Sequence, residues 1–169
     1  MFEKIKKWYK QGYYEIRCKV SDGGGFWSAF WIMAAHPYQA EYSKGGIGGA
    51  EIDIFEAPYF GKTLSHNGVT QTIHCAGVDG VQEGFQSLRL GDFYGKNIYK
   101  EYNTYGLEWN ENEYIFYVNG VETARTSFGG VCRVPLYLII SLGVDERVYE
   151  NEYLPASMVV DYVKCYQYK

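Results

Sequence analysis

Apolar and polar residues alternate with a period of two through most of the chain, and no stretch sustains the 3.6-residue period of an amphipathic helix. In Tyr13–Val20 the polar positions Glu15, Arg17 and Lys19 share a face with Tyr13, whereas Tyr14, Ile16, Cys18 and Val20 share the other, which is the face expected to be buried. A turn at Asp22-Gly23-Gly24-Gly25 leads into Phe26–Met33, where Trp27, Ala29 and Trp31 lie on one face and Phe26, Ser28, Phe30 and Ile32 on the opposite one. Further strands are expected at Val69–Cys75, with Thr70, Thr72 and His74 on one face, and around Phe85–Leu88. Asn103–Trp109 and Glu113–Val118 should pair, and Asn119-Gly120 signals a tight hairpin into Val121–Ala124. Leu136–Leu142 is apolar on both faces, as expected of a buried central strand, and Met158–Tyr166 supplies the last strand. The pattern predicts one all-β domain over residues 1–169, a β-sandwich of two stacked antiparallel sheets.

Within this pattern, one strand carries acids. Gly48–Pro58 reads Gly-Gly-Ala-Glu-Ile-Asp-Ile-Phe-Glu-Ala-Pro, with three carboxylates among β-prone apolar residues. On a regular strand Glu51 and Asp53 share a face, while Glu56, an odd number of steps further on, points the other way. A β-bulge at Ile54-Phe55 would set two residues opposite one and turn Glu56 back toward the other two. The glutamates would then lie about four effective positions apart, roughly 13 Å between Cα atoms. If both side chains lean inward, about 5 Å remains between the carboxyl groups, the separation of a retaining glycosidase pair. Like charges so close raise one another's pKa, so one of the acids should hold a proton near neutral pH. The alternatives, a solvated acidic strand or a calcium ligand set, need compensating cations or a metal, and the motif itself contains no Lys, Arg or His.

Composition narrows the chemistry. Aromatic residues make up 18% of the 169 residues, more than a sandwich core requires, and the surplus suits a surface that stacks on flat apolar faces such as those of sugars. Trp27 and Trp31, on one strand face with the small Ala29 between them, form such a platform; the competing reading places both in the core. A net charge of −4 argues against a nucleic-acid partner. No apolar run approaches the length of a membrane span, and the basic Met1–Lys7 is not followed by the apolar stretch of a signal peptide. The four cysteines, Cys18, Cys75, Cys132 and Cys165, match no metal-binding spacing and are expected to be free thiols.

The Glu-x-Asp-x-x-Glu strand does not stand alone. Gly12-Tyr13-Tyr14-Glu15-Ile16-Arg17-Cys18-Lys19 and Gly25-Phe26-Trp27-Ser28-Ala29-Phe30-Trp31 precede it, and Thr72-Ile73-His74, Tyr105-Gly106-Leu107-Glu108-Trp109, Phe116-Tyr117-Val118-Asn119-Gly120 and Val160-Asp161-Tyr162-Val163 follow in order. Together these segments resemble glycoside hydrolase family 16, particularly its laminarinase-like and galactan-cleaving members, over nearly the whole chain from Gly12. The resemblance implies a concanavalin A-like jelly roll whose concave sheet forms a substrate cleft. It implies Glu51 as nucleophile, Glu56 as general acid and then base, and Asp53 between them tuning Glu51. It places Trp27, Trp31, His74 and Trp109 at or near the cleft, and Glu15 and Arg17 at positions that reach sugar hydroxyls, although an exposed ion pair or a core role fits some of these equally. The family often carries a tryptophan just before the first glutamate, where this chain has Gly48-Gly49-Ala50.

The implied activity is endo-hydrolysis of a β-linked polysaccharide with retention of configuration. A β-1,3-glucan is the first choice and a β-galactan the second, with a non-catalytic carbohydrate-binding sandwich as the rival. No cofactor is implied. Asp161 falls where the family often has a structural calcium ligand, but the usual upstream partners of that ligand have no counterpart among the eleven residues before Gly12. The expected partner is a polysaccharide or oligosaccharide, in an extracellular setting. The short segment before Gly12 would leave a sheet edge open, giving a monomer or an edge-mediated homodimer.

Overall fold

A computed structural model describes residues 7–35, 46–58, 68–76, 85–144 and 154–168. Among these described residues lie ten strands: β1 (Gly12–Lys19), β2 (Phe26–Met33), β3 (Ala50–Pro58), β4 (Gly68–Ala76), β5 (Phe85–Tyr94), β6 (Asn103–Trp109), β7 (Tyr114–Val118), β8 (Val121–Thr126), β9 (Tyr137–Val144) and β10 (Val159–Gln167). They form two antiparallel five-stranded sheets, ordered β10-β1-β6-β7-β8 and β5-β4-β3-β2-β9. Every neighbouring pair is antiparallel, so the chain builds the all-β sandwich that its period-two patterning predicts.

The alternating faces of these strands define the core between the sheets. From the first sheet come Tyr14, Ile16, Cys18, Tyr105, Leu107, Trp109, Tyr114 and Phe116, all fully buried. Phe30, Ile32, Ile52, Ile54, Phe55 and Ile73 face them from the second. The Phe55 and Tyr105 rings meet across the sandwich with centroids 4.2 Å apart. With the core filled this way, the opposite faces of both sheets look outward. Asn119 and Gly120 both take positive φ, 52° and 75°, and connect β7 to β8 as the two-residue hairpin their sequence announces.

Two expectations need correction. Leu136–Leu142 reads as a central strand, yet among the described strands β9 is the edge of its sheet, and Ile140 is 43% exposed although it stands beside the buried Phe30. Apolar residues on both faces show that neither face is polar, but they do not reveal whether both backbone edges are paired. The second correction concerns Trp109. Its indole is fully buried and donates to the Cys132 carbonyl at 3.0 Å, so it belongs to the core and not to a cleft edge.

Candidate active site

Strand β3 places the three acids. Glu51, Asp53 and Glu56 stand opposite His74, Thr72 and Thr70 of β4, and the register shifts between Asp53 and Glu56. Against β2, Asp53 pairs with Trp31 and Phe55 with Phe30, so Ile54 has no counterpart on that side. Two residues of β3 therefore occupy one step of its neighbours, and Ile54 and Phe55 both turn into the core. Glu51, Asp53 and Glu56 end on the outer face together, lining a cavity of about 230 Å³ with Trp27, Ala29, Trp31, Ser141, Gly143 and Val144.

A register irregularity in a buried sheet frees backbone groups that must find partners. Gln71, on the inner face of β4 beside the shift, donates its side-chain amide to the Ile54 carbonyl at 3.3 Å. Its own carbonyl oxygen accepts the Thr123 hydroxyl of β8, 2.8 Å away in the facing sheet. A fully buried glutamine thus ties the irregular step to both layers. The sequence offered one signal for it: a long polar residue at an inward position between Val69 and Ile73.

The acids are not left to one another. His74 approaches Asp53 from β4, with Nε2 3.0 Å from Oδ2, and its Nδ1 lies 2.6 Å from the Ser87 hydroxyl of β5. This imidazole is the compensating partner that the β3 segment lacks. Burial raises the Asp53 carboxyl, while His74 pulls it back down. Glu56 is pushed up to about 7, first by burial and then by the charge of Asp53; Glu51 adds to the rise, while His74 and a hydrogen bond from Trp27 oppose it. The same acids raise the His74 imidazole against the effect of its own burial.

A raised carboxylate costs stability once it ionises. The folded protein holds the Glu56 proton up to about pH 7, whereas an unfolded chain releases it near 4.5. Glu56 thus contributes stability below pH 4.5 that is lost as pH rises through 7. Glu56→Gln, which cannot ionise, is therefore expected to unfold at a higher urea midpoint than the native protein above pH 7, with the gap closing below pH 4.5. A gap that stays constant across this range would exclude a proton held on Glu56.

The two tryptophans, Trp27 and Trp31, also line this cavity. Trp31 Nε1 donates to Ser141 of β9 at 3.1 Å, and the Trp27 side chain hydrogen-bonds Glu56, so each indole is anchored by its polar edge. Trp27 thus touches the acid as well as lining the cleft, a contact that face alternation alone does not predict.

Glu15 and Arg17 lie elsewhere. Strand β1 belongs to the other sheet, and its polar face is the outer one, on the opposite side of the sandwich from the acids. There Glu15 accepts the Tyr13 and Tyr162 hydroxyls, both at 2.8 Å, while Arg17 pairs with Asp161 and lies over the Tyr102 ring. The reading of these two residues as sugar contacts is therefore replaced by that of a surface network. The same pairing sets the Arg17 guanidinium against Asp161 Oδ2, and among the described residues no set of oxygen ligands gathers around Asp161 to hold a calcium ion. Glu51, Asp53 and His74 do bring ligand atoms within 4.8 Å of one another, but the imidazole is turned toward Asp53 as a charge partner. All four cysteines are free thiols, three of them buried. His36 and His66, to which no role was assigned, lie outside the described residues.

The chain is similar to proteins of known family and fold. The family model described as "Glycosyl hydrolases family 16" matches residues 2–129. The chain is 31% identical over 166 residues to a keratan-sulfate endo-1,4-beta-galactosidase of Sphingobacterium multivorum, covering 92% of this chain and 36% of that protein. It is 28% identical over 178 residues to glucan endo-1,3-beta-glucosidase A1 of Niallia circulans, covering 94% of this chain and 24% of that one. It therefore spans about a quarter to a third of these relatives' lengths. Among solved structures, the laminarinase catalytic domain from Thermotoga maritima MSB8 superimposes with a TM-score of 0.69 at 22% identity, over 97% of this chain and 66% of that one. The kappa-carrageenase from Pseudoalteromonas carrageenovora gives a TM-score of 0.76 at 19% identity, over 95% of this chain and 65% of that one. With its family match extending over well more than half of the sequence, the chain belongs to glycosyl hydrolases family 16.

Proposed function

We propose that the protein is a retaining, endo-acting glycoside hydrolase of β-linked polysaccharides, with Glu51 as nucleophile and Glu56 as acid and then base. The observation that carries this reading is the gathering of Glu51, Asp53 and Glu56 onto one wall of a tryptophan-lined cavity. In the first step the Glu51 carboxylate attacks the anomeric carbon while Glu56 gives its proton to the departing glycosidic oxygen. Glu56, now a carboxylate, takes a proton from water, which displaces Glu51 and restores the starting configuration. An acid whose proton is held to about pH 7 suits the first step at neutral pH. Turnover is therefore expected to fall as pH rises through about 7, where Glu56 would begin each cycle already ionised. A pH–rate profile flat to well above that value would exclude Glu56 as the acid.

For the glycan, a β-1,3-glucan of laminarin type is the first reading. Among the described residues the cavity lining contains no lysine or arginine, and Arg89, two strands away in the same sheet, is already paired with Asp92. A neutral chain that stacks on Trp27 and Trp31 fits such a surface better than a sulfated one. The second reading, a β-galactan, is favoured by the 31% identity to the keratan-sulfate endo-galactosidase. Incubation with laminarin, mixed-linkage glucan, agarose and carrageenan, followed by mass analysis of the products and NMR of the freshly formed anomer, tests both. Internal cleavage with initial β-anomer supports the proposal. Binding without turnover would favour a carbohydrate-binding sandwich instead.

A further inference from the structure

His74 stands directly opposite Ser87 in the β4–β5 register, one strand out from Glu51, and both side chains project onto the acid-bearing face. The imidazole therefore has a partner at each nitrogen: Asp53 at Nε2, 3.0 Å away, and the Ser87 hydroxyl at Nδ1, 2.6 Å away. The chain Ser87–His74–Asp53 crosses three adjacent strands and ends on the carboxyl group between the two glutamates.

We propose that Ser87 is a positioning residue that holds the His74 ring with its Nε2–H directed at Asp53. A hydroxyl suits this task because it both donates and accepts. It donates to a bare Nδ1 when the imidazole is neutral and accepts from Nδ1–H when the ring is charged, so Nε2 keeps its proton in both states. An alanine at this position offers neither interaction. The ring is then free to turn about its Cβ–Cγ bond, and Asp53, which is 3% exposed, loses the imidazole held 3.0 Å from its Oδ2. The acids facing the imidazole are Asp53, Glu51 and Glu56, all on β3, so Ser87 is the neutral contact on its other side. The consequence for catalysis rests on the hydrolase reading above; the positioning itself does not.

The test uses Ser87→Ala and Ser87→Thr in the full chain. Ser87 is exposed on β5, so neither change disturbs the core. Imidazole 15N NMR, with His74 assigned from a His74→Gln variant, should show a slowly exchanging Nε2–H in the native protein. That resonance should be lost to exchange with water in Ser87→Ala and retained in Ser87→Thr. On a cleaved glycan, Ser87→Ala should lower kcat about tenfold with KM nearly unchanged, the worth of one charge-assisted hydrogen bond, and Ser87→Thr should restore it. A native-like Nε2–H resonance in Ser87→Ala overturns the proposal whatever the rate does, and so does a lost resonance with native kcat in an active protein. If the native protein cleaves no glycan in the panel, the hydrolase reading fails while the NMR comparison still decides the role of Ser87.

Discussion

Glu51→Gln and Glu56→Gln are each expected to lower kcat on a natural polysaccharide by about 10³-fold or more, because in the proposed mechanism each removes a group that acts on the reacting bond. The two variants should differ in how they fail. Glu56→Gln keeps its nucleophile, so a substrate whose leaving group departs without a proton, such as a nitrophenyl glycoside, should still form the glycosyl-enzyme and accumulate it. Glu51→Gln lacks the attacking carboxylate and should form no such species with any leaving group. Mass measurement of the intact protein after mixing with the activated glycoside separates the two cases. Adduct formation by Glu51→Gln, or native turnover of polysaccharide by either variant, would exchange or cancel the roles assigned to them. Both side chains line the outer cavity and not the core, so unchanged circular dichroism is expected in each variant.

The largest loss of stability is expected from Trp109→Ala, about 3–5 kcal/mol. The indole is fully buried among the core side chains, and its removal leaves a cavity and takes the donor from the Cys132 carbonyl. Against a total stability of roughly 5–15 kcal/mol for a domain, that loss consumes much of the margin. Urea unfolding should show a lowered midpoint, while the fraction that stays folded should keep a native KM. A near-native midpoint with a raised KM would return Trp109 to the cleft, where resemblance to the family had placed it. Trp109→Phe, which retains most of the buried area, should fall between the two.

Trp109, Glu15 and Arg17 show together where reading the chain as a linear text reaches its limit. For Glu15 and Arg17 the alternation of faces was right. Glu15 and Arg17 do lie opposite the buried Tyr14, Ile16 and Cys18, and they are accessible. Alternation says that a side chain leaves the core; it does not say which of the two sheets the strand joins, and a sandwich has two outer faces on opposite sides. Strand β1 joined the sheet without the acids. The apolar strand β9 was misjudged for a related reason, since its residues resemble those of a central strand but, among the described residues, no strand pairs with its outer edge beyond the Tyr9–Leu136 bridge. Pairing partners lie far apart in sequence, and no local pattern fixes them.

By itself the sequence determined the sandwich, the hairpin at Asn119-Gly120, the Trp27–Trp31 face and the three acids on one strand, because each follows from side-chain period or turn preference over a few adjacent residues. It also contained the odd spacing between Asp53 and Glu56 that makes a regular strand unsuitable. Only the tertiary structure decided that His74 meets Asp53 and Gln71 meets Ile54 on that strand, that Ser87 backs His74 and Ser141 backs Trp31, and that burial holds the Glu56 proton to about pH 7. The physical reason is that cross-strand register and solvent exclusion are properties of the assembled sheets. They arise from contacts between segments tens of residues apart, such as Gln71 with Thr123 and Trp31 with Ser141, and no single segment carries them.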